Sequence, residues 1–229
     1  MTPMAGPIKR IDGPEAFARQ FNVSRETIDK LVTYATLLKQ WQKTINLVAP
    51  GTVDSLWHRH IADSAQLAAL APANARAWLD LGSGAGFPGL VLAILMQDRQ
   101  GLKMTLVESD TRKVAFLREV VRQTGLGTGG PACVVDICHA RIETGSTHVR
   151  VGTVDVITAR ALAPLPKLLG LCQPFFGPAT IALLLKGRDT DLEVKEACAA
   201  WRFETSLVQS LTDAEAKVAV ISKLQAHKR

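Results

Sequence analysis

The sequence predicts a doubly wound α/β fold, a mostly parallel sheet covered on both faces by helices, with a helical extension ahead of it. Three observations carry this. From Ala77 onward, short apolar runs alternate with helical stretches, as in a parallel sheet whose crossovers are helices. Trp78 to Gly89 reads WLDLGSGAGFPG, a strand running into a glycine-rich turn and a proline that can open a helix. Finally, 229 residues suit one α/β domain plus a modest extension, and 47% hydrophobic against 21% charged residues excludes disorder of the whole chain.

The elements follow in order. Met1 to Gly13 carries Pro3, Gly6, Pro7 and Gly13 and reads as a loose tail. Residues 14–72 form the helical extension. In it Ser24 can cap a helix running to about Thr44, with Ile28, Leu31, Val32, Ala35, Leu38 and Trp41 at helical spacing. After a loop at Ala49-Pro50-Gly51, Thr52 can cap a second helix with Leu56, Trp57, His60, Ile61, Ser64 and Leu67 on one face. Residues 73–229 form the main domain. Ala77–Leu81, Lys103–Glu108, Ala132–Ile137, Asp155–Ala159 and Ala179–Leu185 read as buried strands, with helices at Pro88–Met96, Asp110–Gln123 and Pro164–Leu171. Gly125 to Pro131 reads as a loop, and Arg202–Val208 and Lys217–Leu224 as two closing strands.

The formal net charge of +6 favours an anionic partner, above all nucleic acid, although a surface tuned for solubility explains it equally well. Cys133, Cys138, Cys172 and Cys198 contain no C-x-x-C pair, and Cys138 beside His139 lacks a second ligand pair, so no metal site is expected. The N-terminus lacks an apolar signal core, and the longest apolar run, Gly89 to Met96, is far too short to span a membrane. The expectation is a cytoplasmic protein without membrane attachment.

Glycines at positions 82, 84 and 86 let the backbone turn sharply and approach a ligand. A tight turn alone would need only one or two. Gly84 to Gly89 also fits the dinucleotide pattern G-x-G-x-x-G, which by itself is weak. Asp80, two residues before Gly82, separates the possibilities. A carboxylate there opposes the pyrophosphate of a nicotinamide dinucleotide. It suits the ammonium of S-adenosylmethionine (SAM), which has no phosphate. Glu108 closes the second strand, roughly twenty residues beyond Gly86, where an acid can accept hydrogen bonds from both ribose hydroxyls. The fold expected is thus the Rossmann-like class I SAM-dependent methyltransferase.

Further motifs sharpen this. LDLGSGAGFPG is joined upstream by Trp41 with Ile45-Asn46-Leu47 and by His60-Ile-Ala-Asp63-Ser64. Downstream it is joined by Arg112-Lys113 with Phe116-Leu117, by Arg160-Ala161 after Asp155-Val-Ile-Thr-Ala, and by Lys186-Gly187. Over roughly Leu37 to Gly187 the chain resembles the bacterial small-subunit ribosomal RNA guanine-N7 methyltransferases, the RsmG family, also called glucose-inhibited division protein B. The resemblance implies methyl transfer from SAM to N7 of a guanine in 16S ribosomal RNA. It also implies cofactor contacts at Gly82, Phe87, Ile142, Glu143 and Arg160, beside Asp80, Gly84, Gly86 and Glu108 from the loop itself. Glu108 departs from the Asp expected in many members, and Gly145 to Gly152 lies outside the family pattern.

Guanine N7 carries an in-plane lone pair and no proton at neutral pH, so its methylation needs no general base and rests on proximity and orientation. The sequence agrees: no Cys sits in a P-C context and no N/D-P-P-Y/F motif is present. Arg160 is the candidate positioning residue at the active-site rim. Candidate RNA contacts are His58, Arg59, Arg112, Lys113, Lys186 and Arg188. Each has a plainer reading. Arg160 can pair with Asp155 or Asp136; His60 and Asp63 can bond the extension onto the main domain; Arg112 and Lys113 can be a solvated first turn, although cations there oppose the helix dipole. Trp41 and Trp57 suit core positions better than base stacking. Action on another RNA or on a small molecule is the alternative within the same chemistry. A nicotinamide-dependent oxidoreductase and a non-enzymatic RNA-binding protein are the rivals outside it.

Overall fold

The computed structural model describes residues 8–127 and 133–227. The extension holds α1 (Pro14–Phe21) and α2 (Arg25–Trp41), then a 3-10 turn (Pro50–Ser55), a π-helical turn (Trp57–Ala62), the short α3 (Asp63–Ala65) and a 3-10 turn (Gln66–Ala69). The main domain follows as β1 (Ala77–Leu81), α4 (Gly89–Leu95), β2 (Lys103–Glu108), α5 (Thr111–Thr124), β3 (Val134–His139), α6 (Gly145–Val151) and β4 (Val156–Arg160). It ends with α7 (Leu165–Cys172), β5 (Ile181–Lys186), α8 (Thr190–Ala197), β6 (Trp201–Gln209) and β7 (Lys217–Ala226).

The seven strands lie in the order β3-β2-β1-β4-β5-β7-β6. Pairs among β1 to β5 are parallel, and β7 is antiparallel to both neighbours. The order reverses between β1 and β4, where Leu81 lies opposite Ala159. In such sheets a crevice opens beyond the carboxyl ends of the strands at that reversal, because the two crossovers leave in opposite directions. The glycine loop after β1 and Arg160 at the end of β4 therefore meet there.

The pleat divides β1 between two cores. Trp78 packs into the core shared with α4, α5 and the extension, while Leu79 and Leu81 pack into the core under α7. The extension is continuous with the first core: Phe17, Leu31, Tyr34 and Leu38 are buried in one cluster with Leu90, Met104 and Phe116. Trp57 lies 5.8 Å from Phe17 and Trp41 lies 5.6 Å, edge-on, from Phe116, so both tryptophans pack internally.

Several local expectations change. The helix capped by Ser24, whose Oγ accepts from Thr27 N at 3.1 Å, ends at Trp41 rather than Thr44, because Gln42 turns inward. Its Oε1 accepts from Leu47 N and Val48 N at 3.0 Å each. The single helix expected after Thr52 is a succession of tight and wide turns, and Thr52 binds a side chain instead of capping it. Proline at the first position starts α1, and the predicted strand start at Ala132 lies outside the described residues. Within the expected tail, Ile8 N donates to Leu211 O at 2.9 Å and Ile11 is buried.

Candidate active site

The glycine loop is built for two purposes. Gly82, Gly84 and Gly86 all have positive φ, at 63°, 56° and 93°. A Cβ on Gly82 would meet Leu162 at 2.6 Å, and one on Gly86 would meet Leu90 at 2.5 Å and the Tyr34 hydroxyl at 2.9 Å. Those two glycines are required by the protein's own packing. A Cβ on Gly84 would find nothing nearer than Gly82 O at 3.8 Å, so this glycine faces open space that a ligand can enter.

The loop is braced from both sides. Glu108 Oε2 accepts from Gly84 N at 2.8 Å, and Oε1 accepts from Ser109 N and Asp110 N at 2.7 and 2.8 Å. From the extension, the buried Tyr34 hydroxyl donates to Ala85 O while its ring stacks on Phe87 at 5.3 Å. The sequence does not single out Tyr34. Its position on the buried face of α2 signals packing, and nothing local marks it as a loop brace.

Asp80 lies behind the loop. It is fully buried on the α4 side, its Oδ1 accepts from Thr158 Oγ1 at 2.7 Å, and among the described residues Oδ2 finds no well-aligned hydrogen-bond partner. A Cβ on Gly89 would lie 2.7 Å from that oxygen. Burial pushes the Asp80 carboxyl up to about 6.

Two cavities open in front of the loop. One, of about 310 Å³, is lined by Gly82, Gly84, Glu108, Ile142, Glu143 and Leu162, among others. Its Ile142 wall is fixed by α6: His148 Nε2 donates to Ile142 O at 2.8 Å and Thr147 Oγ1 to Arg141 O at 2.8 Å. The donor set fits a nucleoside: a carboxylate where the ribose hydroxyls belong, an apolar surface at Ile142, and glycine backbone with nothing projecting. The other cavity, of about 550 Å³, is walled by Val48, Thr52, Arg59, His60, Phe87, Lys186 and the β6–β7 turn at Ser210 to Ala216. The cavities share Gly82, Gly84, Lys113, Arg160 and Ala161. Of the expected cofactor residues, Asp80 and Gly86 line neither cavity, and Phe87 lines only the larger.

Arg160 occupies the junction. Its Nη2 donates to His60 Nδ1 at 2.7 Å and its Nη1 to Arg59 O at 3.1 Å; Asp63 Oδ2 lies 3.6 Å from Nη1. The guanidinium covers the Phe87 ring at 4.9 Å, a cation–π contact. Neither alternative partner expected from sequence is used. Asp155 accepts from the amides of Arg76 and Ala77, and Asp136 pairs with Arg150 and Lys103. The bond of His60 and Asp63 to the main domain is present; it runs through Arg160 and, for Asp63, also through Thr212. Burial and the neighbouring Arg160 and Arg59 charges push the His60 imidazole down to about 3, so it is neutral; burial raises Asp63.

The expected RNA contacts divide sharply. Lys113 lines both cavities and makes no ion pair among the described residues. Arg59 lines the larger cavity beside Asp213, 3.6 Å away. Lys186 lines it too, held by Glu193 at 2.6 Å and Ala163 O at 3.0 Å. Arg112 and Arg188 stand on the surface outside both cavities. His58 is taken up internally, accepting from Ile11 N at 3.2 Å on Nδ1 and donating from Nε2 to Thr212 O at 3.0 Å, which leaves no ring nitrogen for a phosphate. Among the described residues no cluster of side chains suits a metal ion, and no helix is long and apolar enough to cross a membrane.

The sheet order, the glycine crevice at its reversal and the nucleoside-shaped cavity define a class I SAM-dependent methyltransferase. Solved structures share that fold at low identity. An O-methyltransferase from Bacillus cereus in complex with SAH matches with a TM-score of 0.54 at 10% identity, over 90% of this chain and 96% of that one. A TehB-like SAM-dependent methyltransferase from Corynebacterium glutamicum matches with a TM-score of 0.51 at 15% identity, over 83% and 96%. The family model GidB, rRNA small subunit methyltransferase G, matches residues 27–222, and the chain belongs to that family. Relatives named ribosomal RNA small subunit methyltransferase G include one from Parvibaculum lavamentivorans, 48% identical over 94% of this chain and 93% of its own length. Another, from Jannaschia sp., is 48% identical over 86% and 88%.

Proposed function

We propose that the protein transfers the methyl group of S-adenosylmethionine to N7 of a guanine in small-subunit (16S) ribosomal RNA, acting in the cytoplasm. The observation that carries this reading is that, among the described residues, no uncommitted proton acceptor stands at the cavity junction. His60 has both nitrogens engaged, Asp63 is committed to Arg160, Gln66 and Thr212, and the remaining charged groups shared by the two cavities are cations. A site of this kind suits a nucleophile whose lone pair is already bare better than an amine or hydroxyl that must first lose a proton. Guanine N7 is such a nucleophile.

When bound, SAM supplies an electrophilic methyl carbon bonded to a sulfonium sulfur. The residues do the rest. Glu108 holds the ribose hydroxyls and keeps the loop folded through Gly84 N. Ile142, with Glu143 beside it, walls the adenine. Gly84 lets the backbone approach, and Asp80 supports the loop from behind and supplies negative charge for the ammonium. Arg160 and Lys186 orient the base through O6 or its phosphate, with Arg59 and Lys113 adding phosphate contacts. No residue would have to move a proton, because methyl transfer to N7 would exchange the S–C bond for an N–C bond at a lone pair already bare. Mass mapping of 16S ribosomal RNA from cells with and without the protein tests this. A 7-methylguanosine that disappears on deletion and returns with purified enzyme is expected; methylation of another atom or another RNA overturns the proposal.

A further inference from the structure

The residues around Arg160 form a directional chain of hydrogen bonds. Thr52 Oγ1 donates to Ala49 O at 2.7 Å, which leaves its oxygen free to accept. His60 Nε2 lies 2.8 Å from that oxygen and must supply the proton. The opposite nitrogen, Nδ1, is then bare and accepts from Arg160 Nη2. The imidazole also lies 5.1 Å from the Phe87 ring that the guanidinium covers. Asp63 closes the arrangement from the other side. Its Oδ1 accepts from Gln66 Nε2 at 2.9 Å and Thr212 Oγ1 at 2.8 Å, fixing Oδ2 toward Arg160. Two segments outside the parallel sheet, the π-helical turn and α3, thereby hold one side chain at the end of β4, and Thr212 of the β6–β7 turn braces Asp63.

Resting on the methyl transfer proposed above, we infer that His60 and Asp63 are positioning residues of the reaction, which exchange no proton and act by locking the Arg160 guanidinium at the junction of the two cavities. An arginine loses substantial rotamer freedom when fixed. Fixing it before the substrate arrives moves that cost out of the reaction step. The effect belongs in turnover, because the lock acts on orientation and His60 and Asp63 line only the larger cavity, not the one that holds the nucleoside. The lock needs a bare Nδ1, since an N–H there would oppose the guanidinium.

The test uses the full-length protein, SAM and small-subunit ribosomal RNA. His60→Phe keeps a ring against Phe87 and removes the acceptor. His60→Asn places an amide oxygen near the position of Nδ1. His60→Phe is expected to lower kcat by about 10- to 100-fold, with the KM and equilibrium Kd for SAM within about twofold of the parent. His60→Asn is expected to recover most of that loss. A purely structural role predicts the opposite ordering, because the ring-preserving variant keeps more of the packing. If His60→Phe does not fold, Thr52→Val, close to isosteric, removes the acceptor of Nε2–H and is expected to lower kcat by a few-fold. A reading independent of activity is the nitrogen NMR spectrum of the parent, which should show His60 in the Nε2–H form, unchanged between pH 7 and pH 5. Parental kcat in His60→Phe, no recovery in His60→Asn, or a protonated Nδ1 overturns the inference. If the parent methylates no small-subunit RNA while the spectrum shows the expected form, the proposed reaction fails and the lock stands.

Discussion

The two cavities at the sheet reversal are built differently. Among the described residues the smaller is lined by the parallel strands, their loops and Lys113 of α5, from Gly82 to Leu162. The larger draws on the loop after α2, the π-helical turn, the glycine loop, the tip of β5 and the β6–β7 turn, spanning Leu47 to Lys217. A crevice fixed by one sheet suits a ligand common to a whole class of proteins. A cavity assembled from peripheral segments can vary while the sheet stays constant, and it suits the partner that distinguishes one member from another. The belt of cations around the larger cavity, Arg59, Lys113, Lys186 and Lys217, fits that division.

The largest expected effect would break this comparison if it failed to appear. Gly84→Val forces a β-branched residue to a φ of 56° and fills the one open side of the loop. SAM affinity should fall by at least about 100-fold, roughly 3 kcal/mol, while the sheet still forms. Gly101 is the control. It also has positive φ, at 70°, with nothing within 4 Å of a built Cβ, and it lies far from the cavities in the turn before β2. Gly101→Val should show the strain in thermal unfolding and leave SAM affinity at the parental value. Isothermal titration separates the two, and equal affinities for both variants would remove the smaller cavity as the cofactor site.

A second, smaller effect sharpens the boundary of the cofactor site. Asp80 faces neither cavity, yet its ionisation is held at about pH 6 by burial, above the ordinary 3.8. For stability the sign follows from linkage: the folded state favours the protonated acid, so this contribution is complete below about pH 3.8 and is lost as pH rises through 6. For the cofactor the sign is opposite, because an ammonium needs the ionised form. SAM should bind roughly tenfold more tightly at pH 7.5 than at pH 5, and Asp80→Asn should abolish that dependence while weakening binding at the higher pH. A parental affinity that does not change with pH would reduce Asp80 to a support beneath Gly89.

The same division explains what could be read from the sequence. Strand β1, the turn after it and the acid ending β2 form a contiguous pattern whose meaning is local: alternation gives the strand, glycines the positive φ, and Glu108 the rim. The topology followed from βα alternation, except for the antiparallel β7. Peripheral segments carry no such pattern. Nothing in the helical pattern marked Tyr34, although its hydroxyl reaches across 51 residues to Ala85 O. Thr52 looked like a helix cap, and its partner is His60, because the chain there turns in 3-10 and π geometry. Arg160 was expected at the rim, but its partner Asp63 sits 97 residues away, a distance no periodicity spans. His58 shows the converse: a histidine beside Arg59 on the extension suggested RNA contact, and tertiary packing occupied both nitrogens.

The smallest effect concerns how RNA approaches the larger cavity. Arg112 and Lys113 are adjacent in sequence and their amides share one cap, Asp110, whose Oδ1 accepts from both at 2.8 and 3.1 Å. Their side chains differ. Lys113 lines both cavities, whereas Arg112 points into solvent with 71% of its side chain exposed and its nearest carboxylate 3.9 Å away. An exposed pair at that distance contributes little by itself, so either cation is available to a phosphate. Removing a cation that neutralises one phosphate should flatten the salt dependence of RNA binding by a slope of about 0.7 to 0.9. Lys113→Gln is expected to show that full change, Arg112→Gln less, and Arg112→Glu combined with Lys113→Glu the most. SAM binding should keep its weak salt dependence throughout, because SAM carries no phosphate. Filter binding across a salt series reads the slopes directly. A change confined to Lys113 would mean that RNA touches the protein only at the cavity mouth on this side. Parental slopes in all three variants would remove α5 from the RNA face and leave Arg59, Lys186 and Lys217, further cations of the larger cavity, to hold the backbone.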